Sequence, residues 1–311
     1  MGTFIVIANP RSGASTGAQQ PVAHRVRQVF TQAGRACEVV SVPSAGALAA
    51  ASRAAAARAG PGDVLVAAGG DGTVATVAQA AWERGCPLGV VPCGTFNYFA
   101  RVQGIPQDPQ AAARALLRAH ERPVDIGLVN GRVFLVNASL GLYPQLLQDR
   151  EAFKSRFGRR RWVAALAAVA TLVRWRHQLT LEIEADGQSR HLRTPTLVVV
   201  NNRLQVERLG LPADPRRPVG EGWLAGVAAR PIGSWALFTL MLRGAFGTLG
   251  DAQDVEHFAC RSLSVGMRGL RRARVAADGE IDRLVPPLRF EVAPRPLRLM
   301  APCEQDRVPV G

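Results

Sequence analysis

Residues 65–82, LVAAGGDGTVATVAQAAW, place an apolar run directly before a glycine-rich turn and an alanine-rich segment directly after it. This order predicts a buried strand, a tight loop and a helix. Main-chain N–H groups and the positive end of the helix dipole favour an anion at such a loop, and glycine permits close approach and unusual φ angles. The spacing fits neither the G-x-x-x-x-G-K-[ST] loop nor the G-x-G-x-x-G fingerprint. The stretch therefore indicates a phosphate-binding loop of another kind.

The first third of the chain repeats this alternation of strand and helix. Short apolar runs at residues 3–8, 37–42, 63–68 and 87–92 are separated by helix-like segments, which predicts βαβ crossovers and a parallel sheet covered on both faces. Ligands bind at the carboxyl ends of the strands in such a sheet. Two further polar loops, NPRSG after the first run and PCGTFNYFAR at the end of the fourth, would meet GGDGT at that edge. The three loops together predict a nucleotide site.

The pattern changes after residue 123. Segments with a polar residue at every second position alternate with turn pairs such as Asp186-Gly187 and Asp278-Gly279, which is typical of antiparallel hairpins. A chain of 311 residues also fits two domains. We therefore predict an α/β protein with a parallel-sheet nucleotide-binding domain at residues 1–123 and a mainly antiparallel β domain at residues 124–295.

The composition narrows the functional classes. Thirty-eight Lys and Arg against 24 Asp and Glu give a formal net charge of +14, which attracts polyanions such as nucleotides, nucleic acid and anionic lipid surfaces. A general bias towards arginine would give the same charge without any partner. The five cysteines are scattered without a C-x-x-C pair, which disfavours a disulfide framework and a zinc site. With no signal-peptide pattern at the start, we expect a cytoplasmic location.

A set of motifs carries a family resemblance. NPRSG, GGDGTV, PCGTFNYFAR, VDIG, VFLVNASLGL and ADGE occur in this order between Asn9 and about Pro296. The set resembles the bacterial diacylglycerol kinase and lipid kinase family, which is related to sphingosine kinases and more distantly to NAD kinases. The resemblance implies transfer of the γ-phosphoryl group of Mg-ATP to a lipid hydroxyl, in a cleft between the two domains. It also implies that residues 296–311 return to complete the first domain.

The resemblance assigns roles to individual residues. Glu280 matches the proposed proton acceptor, and Asp71 is a second carboxylate available to Mg²⁺ or to the hydroxyl. From the residues alone, Glu280 would be an exposed hairpin glutamate, Asp71 a helix cap and Asp125 a strand-end turn. A structural Mg²⁺ is implied at Glu221 and the main-chain carbonyl of Trp223. The implied nucleotide contacts are Asn9, Ser12, Gly13, Ser41, Gly69, Gly70, Asp71, Gly72, Thr73, Thr95 and Asp125.

Several positions depart from the family pattern. Ala75-Thr76 stand where the family often has Asn-Glu, Phe96-Asn97-Tyr98 replace an expected acidic or imidazole contact, and no glycine run follows Asn201. Two alternatives therefore stay open. One is a kinase of the NAD kinase type with a water-soluble acceptor. The other is a degenerate nucleotide- or lipid-binding protein without catalysis.

A protein that acts on a lipid has to contact a membrane surface, and one apolar segment of the sequence suits that contact. Residues 162–175, WVAALAAVATLVRW, are shorter than the ~20 residues that span a bilayer. Arginines flank both ends, which suits a helix lying on an anionic membrane surface, although a core helix carries the same pattern. Residues 234–247 are a second candidate with the same ambiguity. The expected partners are a lipid substrate and an anionic membrane surface, with no nucleic acid, and a homodimer stays open.

Overall fold

The computed structural model describes residues 2–8, 21–42, 44–142, 144–145, 178–212, 214–231, 239, 243, 254–267 and 269–309. The chain divides into two compact units. The first unit consists of Met1–Ile126 with Ala293–Gly311, and the second of Gly127–Val292.

The first unit contains a six-stranded sheet in the order β2-β1-β3-β4-β18-β5. Its strands are β1 (Phe4–Ala8), β2 (Cys37–Ser41), β3 (Val64–Gly69), β4 (Leu88–Pro92), β5 (His120–Val124) and β18 (Leu297–Ala301). β5 pairs antiparallel with β18, and the other neighbours pair in parallel. Its helices are α1 (Val22–Gln32), α2 (Leu48–Arg58), α3 (Asp71–Arg84), α4 (Tyr98–Val102) and α5 (Pro109–Leu116).

Burial explains the central strands of this sheet. Every residue of β3 and β4 is buried, as expected for parallel strands covered on both faces. Phe4 of β1 stacks on Phe30 of α1 with ring centroids 4.2 Å apart, which fixes that helix to the sheet. α3 ends at Gly85, whose φ of 77° is the left-handed conformation that glycine adopts readily.

The C-terminal segment is fastened to the first unit by two arginines. The Arg295 guanidinium donates to the Trp82 carbonyl over 2.6 Å, and the Trp82 indole N–H donates back to the Arg295 carbonyl over 3.0 Å. Arg298 forms two hydrogen bonds of 2.6 and 2.7 Å to the Glu121 carboxylate. β18 therefore lies in the sheet between β4 and β5.

The second unit is an antiparallel β-sandwich. Its described strands form two six-stranded sheets, in the orders β10-β9-β14-β17-β6-β7 and β13-β12-β11-β8-β15-β16. Both sheets contribute to one core, in which Phe134 and Phe290 meet edge to face at 6.4 Å and Leu140 and Leu197 are fully buried. The strands are β6 (Gly127–Val129), β7 (Arg132–Phe134), β8 (Asn137–Gly141), β9 (Leu179–Ala185), β10 (Gln188–Thr194), β11 (Thr196–Val200), β12 (Leu224–Ala229), β13 (Val255–Cys260), β14 (Ser262–Met267), β15 (Ala273–Ala277), β16 (Glu280–Leu284) and β17 (Leu288–Val292).

The hairpin turns agree with their sequence signals. Asp186-Gly187 joins β9 to β10 with φ of 47° and 82°, and Asp278-Gly279 joins β15 to β16 with φ of 47° and 88°. Two successive positive φ angles are the geometry of the preferred two-residue turn. The predicted antiparallel β-structure is confirmed.

Three features differ from the sequence expectations or lie beyond them. The run at residues 132–141 divides into β7 and β8, which belong to different sheets. A short helix, α6 (Arg203–Arg208), follows Asn202, whose side chain caps it by accepting from the Gln205 N–H. The predicted interfacial helix at residues 161–176 lies outside the described residues, as does nearly all of the candidate at 234–247. In the described part of the chain, no helix is long and apolar enough to span a membrane.

Candidate functional site

The carboxyl edge of the parallel sheet brings together the ends of four strands. Strand register aligns Ala8 with Ser41 and with Ala68, and aligns Gly69 with Pro92. The positions of Ser41 and Gly69 therefore share one edge. The first loop, with Asn9, Ser12 and Gly13, follows β1 and lies outside the described residues.

The second and third loops touch through bare backbone. A Cβ atom on Gly94 would lie 2.7 Å from the Gly70 Cα atom, and the Cys93 N–H donates to the Gly69 carbonyl over 2.9 Å. Gly69 also faces the Thr73 side chain, which a Cβ would meet at 2.5 Å. Gly70 has a φ of −83°. Close approach is thus the reason for glycine here, and the expected unusual φ is not found.

α3 begins at Asp71, the residue that follows Gly70. Its N-cap residue is Gly70, which offers no side-chain hydrogen bond to the first turn. The main-chain N–H groups of the first turn and the helix dipole favour an anion at such a terminus. Gly72 is half-buried and Thr73 is buried. The arrangement suits the phosphate groups of a nucleotide.

Asp71 links this helix to the third loop. Its half-buried carboxylate accepts a hydrogen bond of 3.3 Å from the Phe99 N–H, in the first turn of α4. Burial raises the pKa of Asp71, while hydrogen bonds from the N–H groups of residues 97–99 oppose that rise. From the residues alone, Asp71 was expected to cap its own helix. The structure shows instead that it reaches across to the next loop.

Asn97 closes the third loop and was missed from the sequence. Its side chain accepts from the Gly94 N–H over 2.9 Å and donates to the Gly94 carbonyl over 3.0 Å. Its φ of 51° is a conformation that asparagine tolerates better than most residues, and this tolerance was the available signal. Thr95 is left exposed at the tip. Phe96, 53% exposed, stacks on Tyr98 at 5.7 Å.

Asp125 is separated from these loops by strand direction. It follows β5, and Val124 at the end of β5 pairs with Leu297 at the start of β18. Because β18 runs parallel to β4, the carboxyl end of β5 lies at the opposite edge of the sheet from Gly69. The topology gives no support to the predicted nucleotide contact of Asp125.

Glu280 lies in the second unit, as the first residue of β16, and is exposed. The preceding turn is anchored by Asp278, which accepts hydrogen bonds of 2.6, 2.9 and 3.0 Å from the N–H groups of Leu135, Val136 and Asn137. Arg132, ion-paired with Asp282, lies near this turn. Burial lowers the pKa of Arg132, against the charges of Glu280 and Asp278.

Glu221 and Trp223, the predicted ligands of a structural Mg²⁺, lie close together in sequence in the second unit. Glu221 is exposed on the rim of a cavity of about 460 Å³. The Trp223 carbonyl already accepts from the Gly220 N–H over 3.0 Å, and its ring carries the Arg217 and Arg261 guanidinium groups at 5.3 and 4.9 Å. Across the described residues, no three His, Cys, Asp or Glu side chains cluster as metal ligands do. A site of one carboxylate with carbonyl and water ligands would not form such a cluster, so the structural Mg²⁺ at Glu221 and Trp223 stays a prediction.

Comparison with known proteins follows the two units. The profile of the diacylglycerol kinase catalytic domain matches residues 3–129, and that of the YegS C-terminal NAD kinase beta sandwich-like domain matches residues 146–301. A crystal structure titled as a diacylglycerol kinase from Bacillus anthracis str. Sterne superposes with a TM-score of 0.65, at 19% identity and over 96% of both chains. The fold is therefore of the diacylglycerol kinase class.

The curated relatives match over shorter stretches. Diacylglycerol kinase of Bacillus subtilis (strain 168) is 38% identical over 147 residues, which cover 46% of this chain and 47% of that protein. A probable lipid kinase YegS-like of Pseudomonas aeruginosa (strain UCBPP-PA14) is 54% identical over 79 residues, 25% of this chain and 26% of that protein. The alignments thus span half or less of these relatives. With its second profile covering half of the sequence, the chain belongs to the diacylglycerol kinase and lipid kinase family, which confirms the resemblance.

Proposed function

We propose that this protein is an ATP-dependent lipid kinase, which transfers the γ-phosphoryl group of Mg-ATP to a hydroxyl of a lipid such as diacylglycerol. One observation carries the proposal: the loop at residues 69–73 leads into the uncapped N-terminus of α3 and is held against the loop that follows β4. A helix N-terminus that is preceded by glycines leaves its main-chain N–H groups accessible to a phosphate group. The names of the curated relatives support a lipid acceptor.

Phosphoryl transfer needs a positioned nucleophile, a proton acceptor and charge neutralisation. We assign the proton acceptor to Glu280. Its carboxylate takes the proton of the lipid hydroxyl while the hydroxyl oxygen bonds to the γ-phosphorus, and the bond from that phosphorus to the bridging oxygen breaks to release ADP. The turn that carries Glu280 is fixed by the three main-chain hydrogen bonds to Asp278. A fixed turn reduces the freedom lost in reaching the reactive geometry.

We assign Asp71 a positioning role at the phosphate edge, because its carboxylate is bonded to main-chain N–H groups of the third loop. It helps to hold the third loop, through Gly94, against Gly70. Mg²⁺ binds together with the nucleotide substrate and neutralises part of the charge of its phosphate groups. The other proposed nucleotide contacts are Asn9, Ser12, Gly13, Ser41, Gly69, Gly70, Gly72, Thr73 and Thr95.

The lipid substrate implies contact with a membrane surface. We propose peripheral binding to anionic lipid through the arginine-flanked residues 161–176, which lie outside the described part of the chain. Each basic residue near such a surface adds about 1 kcal/mol to binding. The overall charge of +14 acts in the same direction.

A second candidate is a kinase of the NAD kinase type. The observation that favours it is the profile of the second unit, which is described as NAD kinase beta sandwich-like. The two proposals differ in where the transferred phosphate goes. Labelled ATP should yield an organic-extractable product with diacylglycerol if the first is right, and a water-soluble product with NAD if the second is right. A degenerate binding protein would bind ATP and yield neither product.

A further inference from the structure

Residues 69–73 and 92–99 contain no cationic side chain, and Arg101, at the end of the third loop, donates its Nε–H to the Phe96 carbonyl over 2.8 Å. Residues 69–73 read GGDGT and residues 92–99 read PCGTFNYF, so Asp71 gives this edge a negative side chain. Nucleotide phosphates need positive charge in addition to main-chain N–H groups. A candidate for this positive charge is an arginine of α1.

Arg25 is the fourth residue of α1, which begins at Val22, and it lies in the first turn of that helix. α1 follows β1 and the loop at its carboxyl end, so this first turn belongs to the edge that carries Gly69. The next arginine, Arg27, is exposed, whereas Arg25 is half-buried. The two arginines therefore have different surroundings on one helix.

The Arg25 Nε atom is buried and has no hydrogen-bond acceptor among the described residues. Two other arginines share a buried Nε, but each has a visible compensation: Arg35 lies over the Phe4 ring at 4.9 Å, and Arg122 donates to Gln103. No ion pair, ring contact or hydrogen bond of the Arg25 side chain is found in the described part of the chain. A buried donor left without an acceptor is costly, which indicates a site completed by a ligand.

The position of Cys93 places the Arg25 charge close to the third loop. Cys93 follows β4 and precedes Gly94, the residue that contacts Gly70. Burial raises the pKa of the Cys93 thiol to about 11, and the positive charge of Arg25 acts against this rise. The guanidinium is thus within electrostatic reach of the loops that approach the α3 N-terminus.

We propose that Arg25 binds a phosphate group of the bound nucleotide, with its guanidinium fork donating to the phosphate oxygens. This inference rests on the proposed function, since it adds one residue to the nucleotide site. The fork geometry of arginine matches phosphate and carries a permanent charge. Arg25 then supplies a positive charge that residues 69–73 and 92–99 do not contain.

The test is calorimetric titration of the full chain with Mg-ATP and, separately, with tripolyphosphate. Arg25→Gln should weaken both ligands by about tenfold or more, since hydrogen bonds to charged groups are worth that much. Arg25→Lys should fall between, because it keeps the charge and loses the fork. Arg27→Gln, on the same helix, is the matched control and should bind as the wild type does.

A second readout checks the placement of Arg25 without nucleotide. The pH profile of Cys93 alkylation, followed by mass spectrometry, should move to higher pH in Arg25→Gln and stay unchanged in Arg27→Gln. An unmoved profile would contradict the placement. If the glutamine variant does not fold, the lysine variant decides the ligand test, and its binding both ligands as tightly as the wild type would overturn the proposal.

The outcomes separate the inference from the proposed function. ATP binding at wild-type affinity by a folded Arg25→Gln protein would overturn the role of Arg25 and leave the kinase proposal standing. Failure of the wild type to bind either ligand would refute the nucleotide site itself, and the inference with it.

Discussion

The carboxylate of Asp71, the first residue of α3, accepts a hydrogen bond of 3.3 Å from the main-chain N–H of Phe99 in the first turn of α4. The bond joins the glycine loop after β3 to the loop after β4. With the contact of Gly70 and Gly94, it makes the two loops one structure. The phosphate edge therefore depends on side chains that hold main chain in place.

The raised pKa of Asp71 predicts a pH-dependent stability difference. A raised pKa in the folded state means that the group's favourable contribution is complete below its unfolded pKa of about 4 and is lost as pH rises through the folded value. Asp71→Asn keeps an acceptor for Phe99 and cannot ionise. Its melting temperature, measured without nucleotide, should therefore gain on the wild type as pH rises from about 4 to about 7.

Asp71→Ala is the control, because it loses the acceptor and should be less stable than Asp71→Asn at every pH. A difference between wild type and Asp71→Asn that stays constant over this range would contradict the burial of an ionisable carboxylate here.

The contact of the two loops predicts unequal effects of two alanines. A Cβ on Gly94 would lie 2.7 Å from the Gly70 Cα and 2.8 Å from the Asn97 Oδ1, whereas a Cβ on Gly70 would find its nearest neighbour at 3.4 Å. Gly94→Ala should weaken ATP binding by about tenfold or more, equal to roughly 1.4 kcal/mol of displaced backbone contact. Gly70→Ala, whose added methyl group would meet no atom of the free protein closer than 3.4 Å, should weaken it less. Equal losses, measured by titration calorimetry, would show that the contact is not what positions the phosphates.

The anchored turn predicts a stability effect that distinguishes Asp278 from its neighbour Glu280. Asp278→Ala removes the acceptor of three main-chain N–H groups and should lower the free energy of unfolding by about 3 kcal/mol. Glu280→Gln, on the exposed start of β16, is the matched control and should leave it unchanged. Urea denaturation measures both. Similar midpoints for Asp278→Ala and wild type would refute the anchoring role.

Membrane binding is predicted to depend on Arg159, Arg160 and Arg161, the arginines that directly precede residues 162–175. Their combined replacement by Gln should weaken co-sedimentation with phosphatidylglycerol vesicles by about 10² at moderate salt, at about 1 kcal/mol for each residue. The gap should shrink as salt screens the charges. Replacement of Arg271, Arg272 and Arg274, which are exposed on the second unit, removes the same charge as a control. Equal pelleting of all three proteins at every salt concentration would exclude an interfacial helix.

Local sequence patterns were sufficient for the first four strands of the first unit. The four apolar runs overlap β1, β2, β3 and β4 because parallel strands buried on both faces are continuous in sequence. The turns at Asp186 and Asp278 were readable because aspartate followed by glycine suits two positive φ angles. The glycine loop was predicted because glycine permits close approach and unusual φ angles, and the structure shows the close approach alone.

Long-range pairing could not be read in this way. The antiparallel pairing of β5 with β18, which puts Asp125 at the far edge, joins segments from the two ends of the first unit. The bond from Asp71 to Phe99 depends likewise on two loops meeting in space. Local sequence propensities do not indicate which distant main-chain group a carboxylate will contact. The buried Nε of Arg25 is visible for the same reason only in three dimensions.

Glu280 is the proposed proton acceptor for phosphoryl transfer to a lipid. The most direct measurement follows label from [γ-³²P]ATP into the organic phase, with diacylglycerol in mixed micelles, for wild type and Glu280→Gln. We predict labelled lipid with the wild type, and a kcat lower by about 10² with unchanged ATP affinity in the variant, the usual scale of general-base effects. Label that never enters the lipid, or a Glu280→Gln protein as active as the wild type, would contradict the account.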